Sequence, residues 1–330
     1  MNNLPVSIHN SKVAMFADDT KVYKVVISED DGAALQQDLD NLSSWSVASG
    51  LAFNDKKCKL QTITRKHKPT CTSYEVNGNT IKSCEEVRDL GVSLERDLTW
   101  HAQVSYQAAR TNKLLGFVRR NSRFIYSIPV RCTLYLGLVR TDPGYPTQVW
   151  APQGIELISK LESIQRRATK LILCLPFLTN IPYKERLIYV NLLPVCYWHE
   201  LLDLIYFYKA THNMMHLDPS VVPFVRDCAR RTRISVTSSQ SFVPKRCRTS
   251  TFQKYFFIRT TRIWNLLITR SALDNVTFGN FKSVLYGYYS RALAINYDPD
   301  SPRSFKSIKF CLKCNTTRFL DQEISCCMRF

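Results

Sequence analysis

Acidic residues are scarce in this sequence. The 27 Asp and Glu stand against 45 Lys and Arg and leave a net charge of +18. Such an imbalance surrounds a molecule with a positive field, and nucleic acid is the leading partner that field predicts. An acidic membrane surface is the competing partner, but no run of 18 apolar residues occurs and no lipidation signal follows a basic amphipathic stretch, so membrane attachment is not expected. The opening Met1-Asn2-Asn3-Leu4-Pro5 has neither a charged n-region nor an apolar h-region, which argues against secretion and for a cytoplasmic or nuclear chain. Glycine (10) and proline (14) are few, and no segment is long and poor enough in composition to be a disordered linker. Most of the 12 cysteines are scattered singly, unlike the framework of a short secreted protein, and are expected as free thiols.

What is present is enough for a core: 45% hydrophobic and 12% aromatic residues in a chain of 330, long enough for about two domains of roughly 150 residues. Residues 13–27 read as strand, turn, strand: Val13 to Phe16, a turn at Ala17-Asp18-Asp19-Thr20, then Lys21 to Ile27. Ser28-Glu29-Asp30-Asp31 resembles a capping box and opens an amphipathic helix with apolar Leu35, Leu39, Leu42 and Trp45, stopping at Gly50. Short β-like pieces follow at 59–64, 73–76 and 87–94, with Asn77-Gly78 as a turn.

Beyond Trp100 the pattern becomes helical. Val104, Ala108, Thr111, Leu115 and Val118 form one core stripe, with Arg110, Lys113, Arg119 and Arg120 largely off it. A second stripe, Leu157, Leu161, Ile164, Ala168, Leu171 and Leu175, leaves Lys160, Arg166, Arg167 and Lys170 offset, and a third, aromatic-rich helix is expected over 197–212. Residues 226–270 hold many cations, Arg230, Arg231, Arg233, Arg259 and Arg262 among them, against the single acid Asp227, with Tyr255, Phe256, Phe257 and Trp264 interleaved. This stretch reads either as a nucleic-acid groove or as a basic solvated face over a core helix.

The sharpest chemical signal is Phe16-Ala17-Asp18-Asp19 at the apex of a hairpin. Nucleotidyl transfer uses two divalent ions roughly 3.5–4 Å apart, and hard Mg²⁺ takes carboxylate oxygens of the kind a hairpin turn can thrust into a cleft. Alone, an Asp-Asp pair is more often simply a polar turn. Here it stands in a series. Leu4-Pro5, Phe16 to Asp19, the helix of Leu35 to Trp45, Leu51-Ala52-Phe53-Asn54 with Lys57-Cys58, and Asp89-Leu90-Gly91-Val92 occur in order at close spacing. The series resembles the palm of reverse transcriptases of non-LTR (LINE-type) retrotransposons: the end of motif B, motif C, motif D and the primer grip. Val149-Trp150-Ala151-Pro152, Gln165-Arg166-Arg167-Ala168, and Trp264-Asn265 with Phe281-Lys282 resemble recurring pieces of the region after the palm. Thr141-Asp142-Pro143-Gly144 departs from the family pattern and is expected to break a helix.

The resemblance implies an α+β fold. Residues 1–99 would be a partial palm, an antiparallel sheet with a helix; residues 100–218 a mostly α-helical thumb-like domain; residues 219–330 a basic region with a cysteine-containing tail. It makes Asp18 and Asp19 ligands of Mg²⁺, Leu90 and Gly91 the primer grip, and RNA and DNA, as primer and template, the partners. Lys57 is either a general acid near the pyrophosphate or a surface lysine flanked by Lys56 and Lys59. Motif A, the family's other source of catalytic aspartate, has no match in the 330 residues and is expected N-terminal to Met1 with the fingers, so the isolated chain is expected to be inactive. A non-catalytic nucleic-acid-binding protein is the alternative, and an interaction role through an uncovered apolar sheet face is a third. Cys311 and Cys314, with Cys326 and Cys327 beyond, are either Zn²⁺ ligands or free thiols on a tail.

Overall fold

The computed structural model describes residues 3–66, 72–176, 180–217, 242, 246–247, 249–270, 276–301, 308–311 and 316–319. The chain divides into two units, Met1–Ala102 and Gln103–Phe330.

In the first unit the alternating segment forms a hairpin of β1 (Lys12–Phe16) and β2 (Asp19–Tyr23), in a register that pairs Phe16 with Asp19. The turn is therefore only Ala17-Asp18, shorter than the four residues expected, and Asp19 already belongs to a strand. Ala17 takes a left-handed φ of 53°, a conformation that a residue with a Cβ adopts at a cost of about 1–2 kcal/mol. One face of the hairpin is half-buried and the other, with Phe16, Asp19, Lys21 and Tyr23, is largely exposed. β2 ends at Tyr23, so the expected strand to Ile27 is cut short, with Val25 and Ile27 extending into solvent.

Helix α1 (Glu29–Ser49) starts and stops as its sequence dictates. The Ser28 hydroxyl accepts from the Asp31 N–H while the Asp31 carboxylate accepts from the Ser28 N–H, and Gly50 closes the helix at a φ of 67°. Leu35 and Leu42 are buried; Leu39 and Trp45 are half-buried. The remaining strands are short: β3 (Lys59–Leu60), β4 (Glu75–Val76), β5 (Asn79–Thr80), β6 (Lys82–Ser83), β7 (Glu86–Asp89) and β8 (Val92–Glu95). Instead of one antiparallel sheet, this unit has four separate two-stranded ladders among its described residues, and β3–β6 is parallel. Strands of two residues offer too few ladder bonds to build a continuous sheet. The 87–94 piece is itself a hairpin, turning at Leu90-Gly91, both with positive φ (45° and 85°), as Asn77 and Gly78 do at the β4–β5 turn (52° and 76°).

The second unit is built mainly of helices. The stripe of α2 (His101–Asn121) is buried as its spacing requires, at Val104, Ala108, Thr111, Leu115 and Val118. Helix α3 (Ile128–Leu134) widens into a π turn over Tyr135–Arg140, and Asp142–Gly144 forms a 3₁₀ turn before α4 (Thr147–Trp150). The break falls at the expected residues: Pro143 donates no N–H, and a Cβ on Gly144 would stand 2.5 Å from the Trp198 ring. Then come α5 (Ile155–Ile172), α6 (Tyr183–Tyr189), α7 (Val195–Thr211), α8 (Ser250–Gln253), α9 (Phe256–Arg270), α10 (Phe278–Asn296) and the hairpin β9 (Ile308–Cys311), β10 (Thr316–Phe319). Helix α5 ends at Ile172, which takes the core place expected for Leu171. Helix α7 is apolar nearly all round and packs against α4, α5, α9 and α10, as a central buried helix must. No described helix is long and apolar enough to cross a membrane.

Four polar side chains of this core, Tyr135, Gln165, Tyr183 and Glu162, are hydrogen-bonded in a relay. The Tyr135 hydroxyl donates to Gln165 (2.9 Å), Gln165 donates to the Tyr183 hydroxyl (3.1 Å) and to the Leu193 carbonyl (2.9 Å), and Tyr183 donates to Glu162. The other Glu162 oxygen accepts from the Val195 N–H at 2.9 Å. Arg259 donates to the buried Asp203 at 2.8 and 2.9 Å. Burial pushes the Asp203 carboxyl up to about 6 despite this cation.

Candidate functional site

Asp18 and Asp19 stand side by side at the exposed end of the first hairpin, and neither carboxylate has a hydrogen-bond or ion-pair partner among the described residues. The two-residue turn sets them there, because it leaves no loop to fold back over them. Two residues beyond Asp19 on the same strand face, Lys21 forms an ion pair with Asp89, the residue before the Leu90-Gly91 turn. This pair brings the two hairpins together. Leu90 is 42% exposed, and so bulky a side chain at positive φ is a strained position of the kind held at binding surfaces.

Asp38 holds the approach to β1. It is wholly buried on the inner face of α1, where its carboxylate accepts from the His9 N–H at 2.9 Å and from the Asn10 N–H at 2.9 and 3.2 Å. Burial would raise its carboxyl, but these bonds outweigh burial and hold it below the usual aspartate range. The sequence reading missed both Asp38 and Lys21. The signals were an acid three residues after Leu35 on an apolar stripe, and a lysine at i+2 from Asp19 in an alternating strand.

Lys57 makes no hydrogen bond or ion pair with Asp18 or Asp19. It ends a 3₁₀ turn, Asp55–Lys57, whose Asp55 accepts from the side chains of Asn77 and Asn79 at 3.1 Å each, and the Lys57 amine is exposed and unpaired among the described residues. For Mg²⁺, Asp18 and Asp19 supply hard oxygen donors of the right type, since the ion commonly takes one or two carboxylates and completes its octahedron with waters and substrate phosphates. No group of three His, Cys, Asp or Glu able to hold one ion occurs among the described residues.

In the second unit the expected basic residues divide. On α2, Lys113, Arg119 and Arg120 are exposed and unpaired among the described residues, whereas Arg110 pairs with Asp142 at 2.9 Å. On α5, Arg166 is pinned: it donates to the Pro299 carbonyl at 2.6 Å, pairs with Asp300 and covers the Tyr183 ring. Arg167 donates to Asn112 at 2.7 Å, and Lys170 is half-buried. Lys160 donates to Ser105 at 2.9 Å. The 105–160 and 112–167 bonds have the same residue offset, so α2 and α5 run parallel. Arg230, Arg231 and Arg233 lie outside the described residues, as do Cys314, Cys326 and Cys327; Cys311 ends β9.

From Phe256 to Trp264 the groove reading is corrected, while Tyr255 stays at the surface. Phe256, Phe257 and Trp264 are in the core, Arg259 is committed to Asp203, and Arg262 is buried and donates to Cys247. Helix α9 is buried nearly all round: residues 256–258, 260–265, 267 and 268 are all buried, so Arg259, Arg262 and the rings face protein.

The chain is similar to RNA-directed DNA polymerases from the mobile element jockey. It is 26% identical over 169 residues to that protein of Drosophila funebris, a match covering 48% of this chain and 18% of the relative. The Drosophila melanogaster protein of the same name is 25% identical over 167 residues, again 48% of this chain and 18% of the relative. The match thus spans less than a fifth of the length of these curated relatives. No family model and no solved structure matches the chain.

Proposed function

We propose that this chain is a fragment of an RNA-directed DNA polymerase of the LINE type: a partial palm carrying Asp18 and Asp19, followed by a helical, thumb-like part. The observation that carries the reading is a pair of adjacent carboxylates, unpartnered among the described residues, at the apex of a two-residue hairpin in a chain similar to the jockey polymerases. Asp18 and Asp19 are the catalytic carboxylates in this reading, and Lys57 is a candidate general acid. The Leu90-Gly91 hairpin, tied to the first by Lys21 and Asp89, receives the primer backbone, Gly91 permitting close approach. RNA and DNA are the substrate classes, and the free cations of α2 meet their phosphates.

The chain alone is proposed to be inactive. In-line attack on a phosphoryl group needs cations fixed by several carboxylates, and this hairpin offers two. The test is radiolabelled primer extension by the 330-residue protein and by a single-chain fusion that supplies the preceding segments of the Drosophila funebris polymerase. The expected result is no extension by the chain alone and extension by the fusion that Asp18→Asn abolishes. Extension by the fusion that survives Asp18→Asn would sink the assignment of the catalytic pair. The cations of α2 that are unpaired among the described residues also favour a second reading, a nucleic-acid-binding protein without chemistry. That reading gains if the chain binds primer–template and the fusion stays inert.

A further inference from the structure

From Leu98 to Thr141 the sequence has no acid and seven Lys and Arg. Three of the seven are committed: Arg110 to Asp142, Arg140 to the Leu193 carbonyl and the Trp198 ring, and Arg131 to backbone carbonyls. The other four, Lys113, Arg119, Arg120 and Arg123, are exposed and unpaired among the described residues. Arg119 and Arg120 stand in the last turn of α2, where cations also favour the helix end. Arg123 stands beyond that turn, so helix stabilisation does not account for it.

Among these cations in the sequence are exposed aromatic rings. Phe124 is 83% exposed and Tyr126 is 75% exposed, while Phe117, one turn before the end of α2, is half exposed. The loop that carries them is anchored from below. Arg131 is buried, and its guanidinium donates to the carbonyls of Ser122 (3.1 Å), Leu171 (2.6 Å) and Ile125. One side chain thus ties the loop after α2 to the end of α5. Because α2 and α5 run parallel, Lys170 lies at that same end.

We propose that residues 117–126 form a stacking platform for the unpaired bases of a single-stranded nucleic acid. Solvated rings set among unpaired cations suit a ligand with flat apolar faces and an anionic backbone, and a single strand has both. A duplex offers phosphates to the arginines, but its bases are already stacked on one another. Phe124 and Tyr126 are two residues apart, at most about 7 Å along the chain, close enough to serve neighbouring bases. The platform deepens the nucleic-acid part of the function proposed above and rests on it.

The test is fluorescence anisotropy of the full chain with a labelled 12-nucleotide oligouridylate, and with a 12-base-pair RNA duplex, at several salt concentrations. Phe124→Ala with Tyr126→Ala is expected to weaken single-strand binding by about tenfold per ring, with duplex affinity and salt dependence unchanged. Arg119→Ala with Arg120→Ala and Arg123→Ala is expected to weaken both ligands and to lower the single-strand salt slope by about 0.7 per arginine that meets a phosphate. All these side chains are exposed, so an unchanged thermal melt is expected for both variants. Equal loss on strand and duplex in the ring variant, or loss on neither, would overturn the platform and leave the basic surface standing. A ring variant that abolishes a dimer of the chain without weakening strand binding would overturn it in favour of an interface between copies. A wild-type chain that binds neither ligand would overturn the nucleic-acid reading itself.

Discussion

Glu162 gives the core of the second unit a pH dependence whose size follows from its surroundings. The carboxyl is 1% exposed in the middle of α5. Burial disfavours its charge; Tyr183, the Val195 N–H, Arg140 and Arg166 favour it; burial wins and pushes the group from its ordinary 4.5 up to about 6. Between those values the folded chain holds a proton that the unfolded chain has released. Its contribution is therefore fully present below about 4.5 and is lost as pH rises through about 6. A gap of roughly 1.5 pH units corresponds to about 2 kcal/mol. Glu162→Gln keeps the shape and cannot ionise. Whatever its stability relative to wild type at about pH 4.5, the variant is expected to gain about 2 kcal/mol on wild type by about pH 7. Asp203 titrates in the same window, but it is present in both proteins and cancels in the difference. Urea unfolding followed by tryptophan fluorescence is a suitable assay, since Trp150 and Trp264 are fully buried in the same unit. A stability difference that stays flat from about pH 4.5 to 7 would refute the claim that burial dominates at Glu162.

Two further substitutions probe packing and capping. Gly144→Ala places a Cβ against the Trp198 ring and should destabilise the second unit by about 1–3 kcal/mol, read as a lower urea midpoint with an unchanged slope. Asp38→Ala strips the acceptor from the His9 and Asn10 N–H groups and should cost about 1–3 kcal/mol. Hydrogen exchange checks this change: protection lost at residues 9–16 with α2 unaffected is expected, and unchanged protection there would show that Asp38 does not hold the approach to β1.

Much of the local structure was legible in particular residues. Ser28 with Asp31 and then Gly50 bound α1 because both its ends are satisfied by neighbours in sequence. Asn77-Gly78 marked a turn that needs two positive φ values. The stripe of α2 was readable because a long helix with one apolar face has one way to bury it. The Asp18-Asp19 apex was legible too, although the strand register, not the composition of the turn, made Asp19 part of β2.

The sequence by itself determined the charge excess, the ends of α1, the buried face of α2 and the acidic pair at a hairpin end, since these rest on composition or on contacts within a few residues. Tertiary structure alone decided which cations are free. Arg123 and Arg259 carry the same group, but a distant Asp203 captures Arg259 while Arg123 has no partner among the described residues. It also decided which aromatics are core: Trp264 is buried by packing among distant rings such as Phe207 and Phe281, while Phe124 is left in solvent by a loop that Arg131 clamps. Local periodicity records which face a helix buries. It does not record which distant carboxylate, carbonyl or ring will meet a given side chain, because chain folding brings those partners together from positions tens of residues away.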